Sequence, residues 1–350
     1  MIVKDERDVI IRCLTSARAI VDYWVIVDTG STDGTQKLIQ ECLKDIPGEL
    51  YERPWVHFEH NRNEALGLAR GKANYVLFMD ADETLVIASC FHPSQLGLDG
   101  YKVRLIERSF TDVYRICLIK NDPCWFWKGV IHEALYASRP VSVGLLESLE
   151  KQASSEDGKR TQDPKKFEKD AVILEKALAL EPENSRYTFY LAQSYGNAGQ
   201  YLDSLAWYQK RTEMGNDPEE VFWSFYCMGM IHQHIKSDPS RWIDSYTKAH
   251  QADSSRAEPL FQLARFFYDS GQPLISYACG KIASSLAKPE CAMYCHAWVY
   301  DYAADFVFAQ AADDLGLKKE ALPVYHKLLS RPIPEDMRQW IETAAARIFL

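Results

Sequence analysis

The chain has 350 residues, a formal net charge of −9, 47% hydrophobic residues and 25% charged residues. Those proportions are ordinary for a globular protein, and the length suits about two domains of roughly 150 residues each. The acidic balance excludes a general nucleic-acid binder, which needs a basic face, but not a small basic pocket for a phosphate. No apolar run approaches the roughly 20 residues that span a bilayer, and the N-terminal MIVKDERDVI is charged too early for a secretory leader. The nine cysteines are scattered and odd in number, which reads as reduced thiols in a cytoplasmic protein. The Cys291-x3-Cys295-His296 cluster has no second ligand pair near it, so buried thiols are a better reading than a metal site.

The first element, MIVKDE, looks like the last part of a strand that is either short or begins upstream. YWVIVDTGS follows as a strand ending at Asp28. DGTQKLIQECLKD then reads as a helix with Asp33 as N-cap and Leu38, Ile39, Cys42 and Leu43 on one face. FEHNRNEALGLARG reads as a second helix, closed by Gly71. YVLFMDADE is a strand over Tyr75–Met79 that runs into Asp80, Asp82 and Glu83. This alternation predicts a parallel, doubly wound sheet. Ligands bind such sheets beyond the C-terminal strand ends, where Asp28 and Asp80 both fall.

Clustered carboxylates repel one another and resist burial. A divalent cation removes that cost, and carboxylates suit Mg²⁺ or Mn²⁺ that shares its shell with substrate phosphates. Alternation would point Asp80 and Asp82 differently, one to the cation and the other to a sugar or a metal-bound water. The loop VDTGSTDGT can hold a nucleoside through its carboxylates and hydroxyls, or be a plain strand–turn–helix cap. It lacks the glycine spacing of a dinucleotide site and the Gly-Lys-Ser/Thr of a P-loop.

Residues 147–164 are polar without an apolar period and read as a linker or loop. From 165 to 350 the pattern is helical and repeats. Gly199, Gly271 and Gly316 are each preceded by seven residues by Ala192, Ala264 and Ala309, and followed by five residues by Ser204, Ser276 and Ala321. Between the first two copies Gly229 and Ser245 take the small positions. Small residues at such offsets let antiparallel helices approach closely, and the region resembles tetratricopeptide repeats. The fold class expected is therefore α/β followed by all-α.

MIVKDE, VIVDTGSTDGT, FEHNRNEAL and YVLFMDADE together, in this order and spacing, resemble family 2 glycosyltransferases with the GT-A fold, over about residues 1–135. The layout of such a domain (1–146) followed by a tetratricopeptide-like solenoid (165–350) is similar to a group of bacterial and viral two-domain glycosyltransferases. The resemblance implies that Asp28 contacts the uracil or ribose of a UDP-sugar. It implies that Arg62 and Asn63 help to hold the nucleotide, that Asp80 and Asp82 bind Mn²⁺ or Mg²⁺ and the donor, and that Glu6 is the acidic position after the first strand. Thr29 stands where many members carry a second Asp. In CWFWKGVIHEALY, His132 and Glu133 resemble the family's His-Glu pair, with Glu133 as the catalytic base and His132 as an additional metal ligand, or the pair caps a strand edge. Asp112 and Asp122 are fallback bases. Trp125 and Trp127 form either a sugar-stacking platform or core.

The implied reaction is metal-dependent, inverting transfer from a UDP-sugar to a protein, peptide or glycan acceptor. The repeats would recognise a partner or the acceptor, or mediate self-association. Alternative readings are a repeat-based interaction scaffold with an inactive transferase domain, and a nucleotidyltransferase.

Overall fold

Strand β1 (Ile2–Val3) lies parallel to β2 (Trp24–Asp28), which lies parallel to β3 (Gly48–Glu52). The crossovers are α1 (Ile10–Ala17) and α2 (Thr35–Cys42). Helix α1 buries Ile10, Cys13, Leu14 and Ala17, the spacing of one helical face. Val3, Ile26, Ile39 and Leu43 join part of this set in one core cluster. The computed structural model describes residues 1–107, 112–153, 163–290, 292 and 294–348.

Helix α2 starts later than the sequence predicts. Gly34 takes the N-cap position with a left-handed φ of 93°. Asp33 acts one residue earlier, its Oδ1 accepting from the Thr35 N–H at 3.0 Å and the Thr35 hydroxyl at 2.6 Å. Helix α3 (Phe58–Leu68) also ends before the expected Gly71, and its N-cap is His57, whose Nδ1 accepts from the His60 N–H.

The strand expected over Tyr75–Met79 is shorter, and it does not extend the parallel sheet. β4 (Tyr75–Leu77) pairs antiparallel with β7 (Asp112–Lys120), Val76 opposite Ile119. With β5 (Glu83–Ile87), β6 (Gly100–Glu107) and β10 (Val143–Ala153) they form a mixed sheet in the order β4-β7-β6-β10-β5. The β6–β7 antiparallel pair lends its edge to β4, a long-range pairing that the strand–helix alternation does not encode. A cavity of about 650 Å³ lies beside β2 and β4, lined by Met1, Val25, Ala65, Leu77 and Met79 among others. An antiparallel pair, β8 (Trp125–Lys128) and β9 (Ala134–Ala137), follows β7.

The segment read as a linker from 147 is instead the second half of β10. Leu149 and Lys151 point inward at the period of a strand, 0% and 3% exposed. Leu149 packs with Val103 and Cys117, while Lys151 pairs with Glu83. A buried lysine hides this alternation in the sequence, because its polarity reads as solvent. Residues 154–162 of the predicted linker lie outside the described residues.

The chain divides into two compact units, Met1–Ala198 and Gly199–Leu350. Helices α4 (Lys166–Leu180) and α5 (Ser185–Asn197) therefore fall in the unit of the sheets, past the boundary that composition suggests. The second unit is all-helical: α6 (Tyr201–Glu213), α7 (Pro218–His234), α8 (Pro239–Ala252), α9 (Glu258–Asp269), α10 (Pro273–Ser285), α11 (Ala304–Asp314), α12 (Lys318–Leu329) and α13 (Glu335–Ile348). Each of these helices packs on the next in sequence. Cys295 is buried; Cys291 lies outside the described residues. Among the described residues no helix is long and apolar enough to cross a membrane.

The repeated small positions behave as the spacing predicts. Ala264, Ala309, Ser276 and Ala321 are fully buried, while Gly271 and Gly316 end α9 and α11 with φ of 70° and 74°. At Gly229, in α7, a Cβ would lie 2.4 Å from the Tyr246 ring of α8, which has no exposed surface in which to retreat. Gly229→Ala is therefore expected to destabilise the protein by ~1–3 kcal/mol through overpacking, read as a lower urea midpoint. A solvent-facing glycine in a helix would respond with the opposite sign, by up to about 1 kcal/mol.

Candidate active site

The loops after β1 and β2 are joined to each other by side chains. Asp5 Oδ1 accepts from the Thr32 N–H at 2.8 Å, and Ser31 Oγ accepts from the Asp5 N–H at 2.8 Å. Thr35 Oγ1 accepts from the Glu6 N–H at 2.9 Å, and Asp33 Oδ2 from the Arg7 N–H at 3.0 Å. The Glu6 carbonyl accepts from the Val9 and Ile10 N–H groups at the start of α1. Asp28 is fully buried at the centre of this arrangement. Its Oδ1 accepts from the N–H groups of Gly30 (2.9 Å) and Ser31 (2.8 Å) and from Gln36 Nε2 (3.1 Å). Its Oδ2 is buried with no hydrogen-bond partner among the described residues. One oxygen thus builds the loop, and the other is a buried acceptor whose lack of a donor there is costly.

The acidic turn after β4 is divided by its surroundings. Glu83 is buried, and its Oε2 accepts from the Asp80 N–H (2.9 Å) and from Lys151 Nζ (2.7 Å). Glu83 therefore shapes the turn and faces inward, away from any ligand role. Arg12 donates to the Asp82 carbonyl at 3.3 Å. The Asp80 carboxylate accepts from Arg62 Nη2 at 2.8 Å. Burial alone would raise the Asp80 pKa, but the Arg62 guanidinium and then the Lys151 ammonium outweigh it and hold Asp80 at about 2. Asp82 goes the other way: burial first, then the charges of Asp80 and Glu83, push it up to about 6.

Arg62 reaches a second acid. Its Nε donates to Glu133 Oε1, so one guanidinium holds both Asp80 and Glu133. Two of the three are sheltered, the side chains of Arg62 and Glu133 being 12% and 9% exposed, while that of Asp80 is 39% exposed. Burial would lower the Arg62 pKa, but Asp80 and Glu133 raise it above the ordinary guanidinium value. The guanidinium also lies 4.9 Å from the centre of the Trp127 ring, in cation–π contact.

Several expected site residues have other duties. The Asn63 amide bonds both the N–H and the carbonyl of Trp127, each at 2.8 Å, so it holds β8 in place. Trp125 and Trp127 are core, packed with Leu66 and Ile119. The exposed rings on this hairpin are their neighbours Phe126 and Tyr136, stacked with centroids 6.2 Å apart. Asp122 accepts from the Cys124 N–H (2.8 Å) and from Arg139 (2.9 Å). These bonds hold it below the ordinary carboxylate range as a turn acid. The side chain of Asp112 lies outside the described residues.

His132 sits in the left-handed region with φ 51°. Its ring stacks on Tyr190 of α5, centroids 4.0 Å apart and 2° from parallel. Among the described residues no three His, Cys, Asp or Glu side chains converge to hold a metal, so His132 does not join Asp80 and Asp82 in a ligand set. The sequence reading missed Lys151, Glu59, Arg186, Tyr187 and Tyr190. Lys151 lay in an apparent linker, and the others in helical patterns where nothing marks a side chain that reaches a distant loop.

Residues 1–87 match the family model of Glycosyl transferase family 2. Over that stretch the α/β region is similar to family 2 glycosyl transferases, and helical hairpins follow it. A TPR repeat-containing protein of Synechococcus elongatus is 36% identical over 88 residues, 25% of this chain and 20% of that one. The match thus spans about a fifth of that relative's length. Among solved structures, MamA aligns with a TM-score of 0.39 and 19% identity, over 50% of this chain and 92% of that one. YrrB, a TPR protein with an unusual peptide-binding site, aligns with a TM-score of 0.36 and 13% identity, over 53% of this chain and 84% of that one.

The raised Asp82 pKa has a consequence for stability. Ionising Asp82 is disfavoured in the fold, so its contribution is most favourable below the unfolded value of 3.8 and is lost as pH rises through about 6. Asp82→Asn is expected to raise the metal-free melting temperature at about pH 7.5 and to leave it nearly unchanged at about pH 4. Scanning calorimetry at the two pH values checks this. An equal shift at both would contradict the assignment.

Proposed function

We propose that the α/β unit is an inverting glycosyltransferase that moves a sugar from a UDP-sugar to a protein, peptide or glycan acceptor. The observation that carries this reading is the Arg62 fork, which touches both Asp80 on the acidic turn and Glu133. A single guanidinium spanning the two supports a donor-side acid and a base that serve one reacting centre. Asp28 Oδ2, buried without a partner, suits an N–H of uracil or a ribose hydroxyl.

Asp80 and Asp82 would hold Mn²⁺ or Mg²⁺, which when bound neutralises charge building on the leaving diphosphate. Arg62 is matched to phosphate oxygens by its fork of donors. When it turns to the donor it releases Glu133, which then accepts the proton of the acceptor nucleophile. The nucleophile bonds to the anomeric carbon, the bond to the diphosphate oxygen breaks, and UDP leaves with that electron pair. Attack opposite the leaving group inverts the anomeric configuration. The helical unit would recognise the acceptor or a second copy of the chain through the extended surface that stacked hairpins provide.

The same fork favours a second reading. With Arg62 holding both acids, the domain would be inactive and the helical repeats would serve as an interaction scaffold. UDP release measured over several UDP-sugars, with and without Mn²⁺, separates the two. The transferase reading expects Mn²⁺-dependent release that falls by about 10²-fold or more in Asp82→Asn and in Glu133→Gln. UDP binding without release from any donor would favour the scaffold. Pyrophosphate in place of UDP would mark a nucleotidyltransferase.

A further inference from the structure

We infer that Arg186, Tyr187 and Tyr190 of α5 are positioning residues for the loop that carries Glu133, so that the first helical pair is part of the transferase site. This rests on the transferase reading for its catalytic meaning, but the physical claim stands on the contacts.

The loop joins β8 to β9 and is an unfavourable conformation on its own. His132 has φ 51°, a region that side chains other than glycine seldom occupy. Gly129 has φ 127°, and a Cβ there would meet the Glu133 Cα at 3.1 Å. Backbone held in sparse regions persists where its surroundings over-determine it. Here two helices supply those surroundings from the same compact unit.

From α3, Glu59 Oε2 accepts from the Gly129 N–H at 2.7 Å, and Arg62 holds the Glu133 carboxylate. From α5, the Tyr187 hydroxyl accepts from the Val130 N–H at 3.3 Å. Arg186 directs Nε and Nη2 onto the His132 carbonyl at 3.2 and 3.0 Å. Tyr190 lies flat against the His132 ring, and the Arg186 guanidinium sits 4.9 Å from the centre of the Tyr190 ring. Arg186 and Tyr190 are four apart, so they share a helix face. The first turn that bears them is itself fixed, because Asn184 Oδ1 caps the Tyr187 N–H at 3.0 Å. The backbone groups of this loop that α5 engages belong to Val130 and His132, three residues and one residue before Glu133. A displacement of about 1 Å in a reacting group can cost about 10²-fold in rate, so the clamp sets whether Glu133 can serve as a base.

The test uses the full chain with Arg186→Ala, Tyr190→Leu, Tyr187→Phe and Arg186→Lys. Three quantities are measured: amide exchange of residues 129–134, UDP affinity by calorimetry, and UDP release from whichever donor the parent turns over. Arg186→Ala and Tyr190→Leu are expected to speed loop exchange by about tenfold or more and to cut release by about 10–100-fold, with UDP affinity within about twofold of the parent. Tyr187→Phe keeps the ring and loses only the acceptor for Val130, so its effect should be smaller and in the same direction. Arg186→Lys keeps a donor for the His132 carbonyl and should recover part of the loss. Unchanged loop exchange in both Arg186→Ala and Tyr190→Leu overturns the inference. So does faster exchange with unchanged release. A parent that releases UDP from no donor sinks the transferase reading, while the exchange measurement still decides whether α5 holds the loop. If the larger substitutions fail to fold, Tyr187→Phe and Arg186→Lys carry the same comparison.

Discussion

The buried guanidinium of Arg62 is the constraint on which the site depends. Placing a charge on so sheltered a side chain costs several kcal/mol of hydration, and the cost is tolerable only with close partners. Asp80, Glu133 and the face of Trp127 supply them. These partners come from the turn after β4, the loop after β8, and β8 itself. Arg62 thus ties two separate stretches of chain, the turn after β4 and the β8–β9 hairpin, to α3. It also balances the charge of the two acids that it holds.

A second buried pair, Glu83 with Lys151, does for the backbone what Arg62 does for the side chains. Glu83 fixes the Asp80 N–H, and Lys151 satisfies the charge that this burial leaves. The acidic turn is therefore shaped by β10, a strand that arrives almost seventy residues later. The outcome is a graded set of carboxylates. Asp80 is held at about 2 by Arg62 against the effect of burial. Asp82 is pushed to about 6 by burial and then by the charges of Asp80 and Glu83.

The helical part follows a different logic. Its hairpins close on small residues, and several of its buried charges lie at the connections between helices. Arg211 of α6 pairs with Glu220 of α7, while Arg256, in the connection before α9, pairs with Glu258 at its start and donates to the Tyr294 carbonyl. Arg211 also reaches the Gly215 and Asp217 carbonyls, satisfying the turn between α6 and α7. Such pairs secure connections between helices, where backbone groups would otherwise lack partners.

What the sequence determined by itself is what local physics encodes. Apolar periodicity marks where strands give way to helices, and it places Asp28 at the end of β2 and Asp80 in the turn just past β4. The small positions Ala264, Ala309, Ser276 and Ala321 are legible because helix packing demands low volume at a fixed spacing. Tertiary structure alone decided the rest, since it turns on pairings between distant residues. Lys151 reaches Glu83 across 68 residues, Asn63 reaches Trp127 across 64, and Arg62 reaches Glu133 across 71. Such partners leave no trace in a local pattern, so the second half of β10 reads as a linker and the contacts of Asn63 with Trp127 and of His132 with Tyr190 cannot be anticipated. The capture of the Glu133 loop by α5 is of the same kind, because side-chain reach is set by where the chain returns in space and not by its local composition.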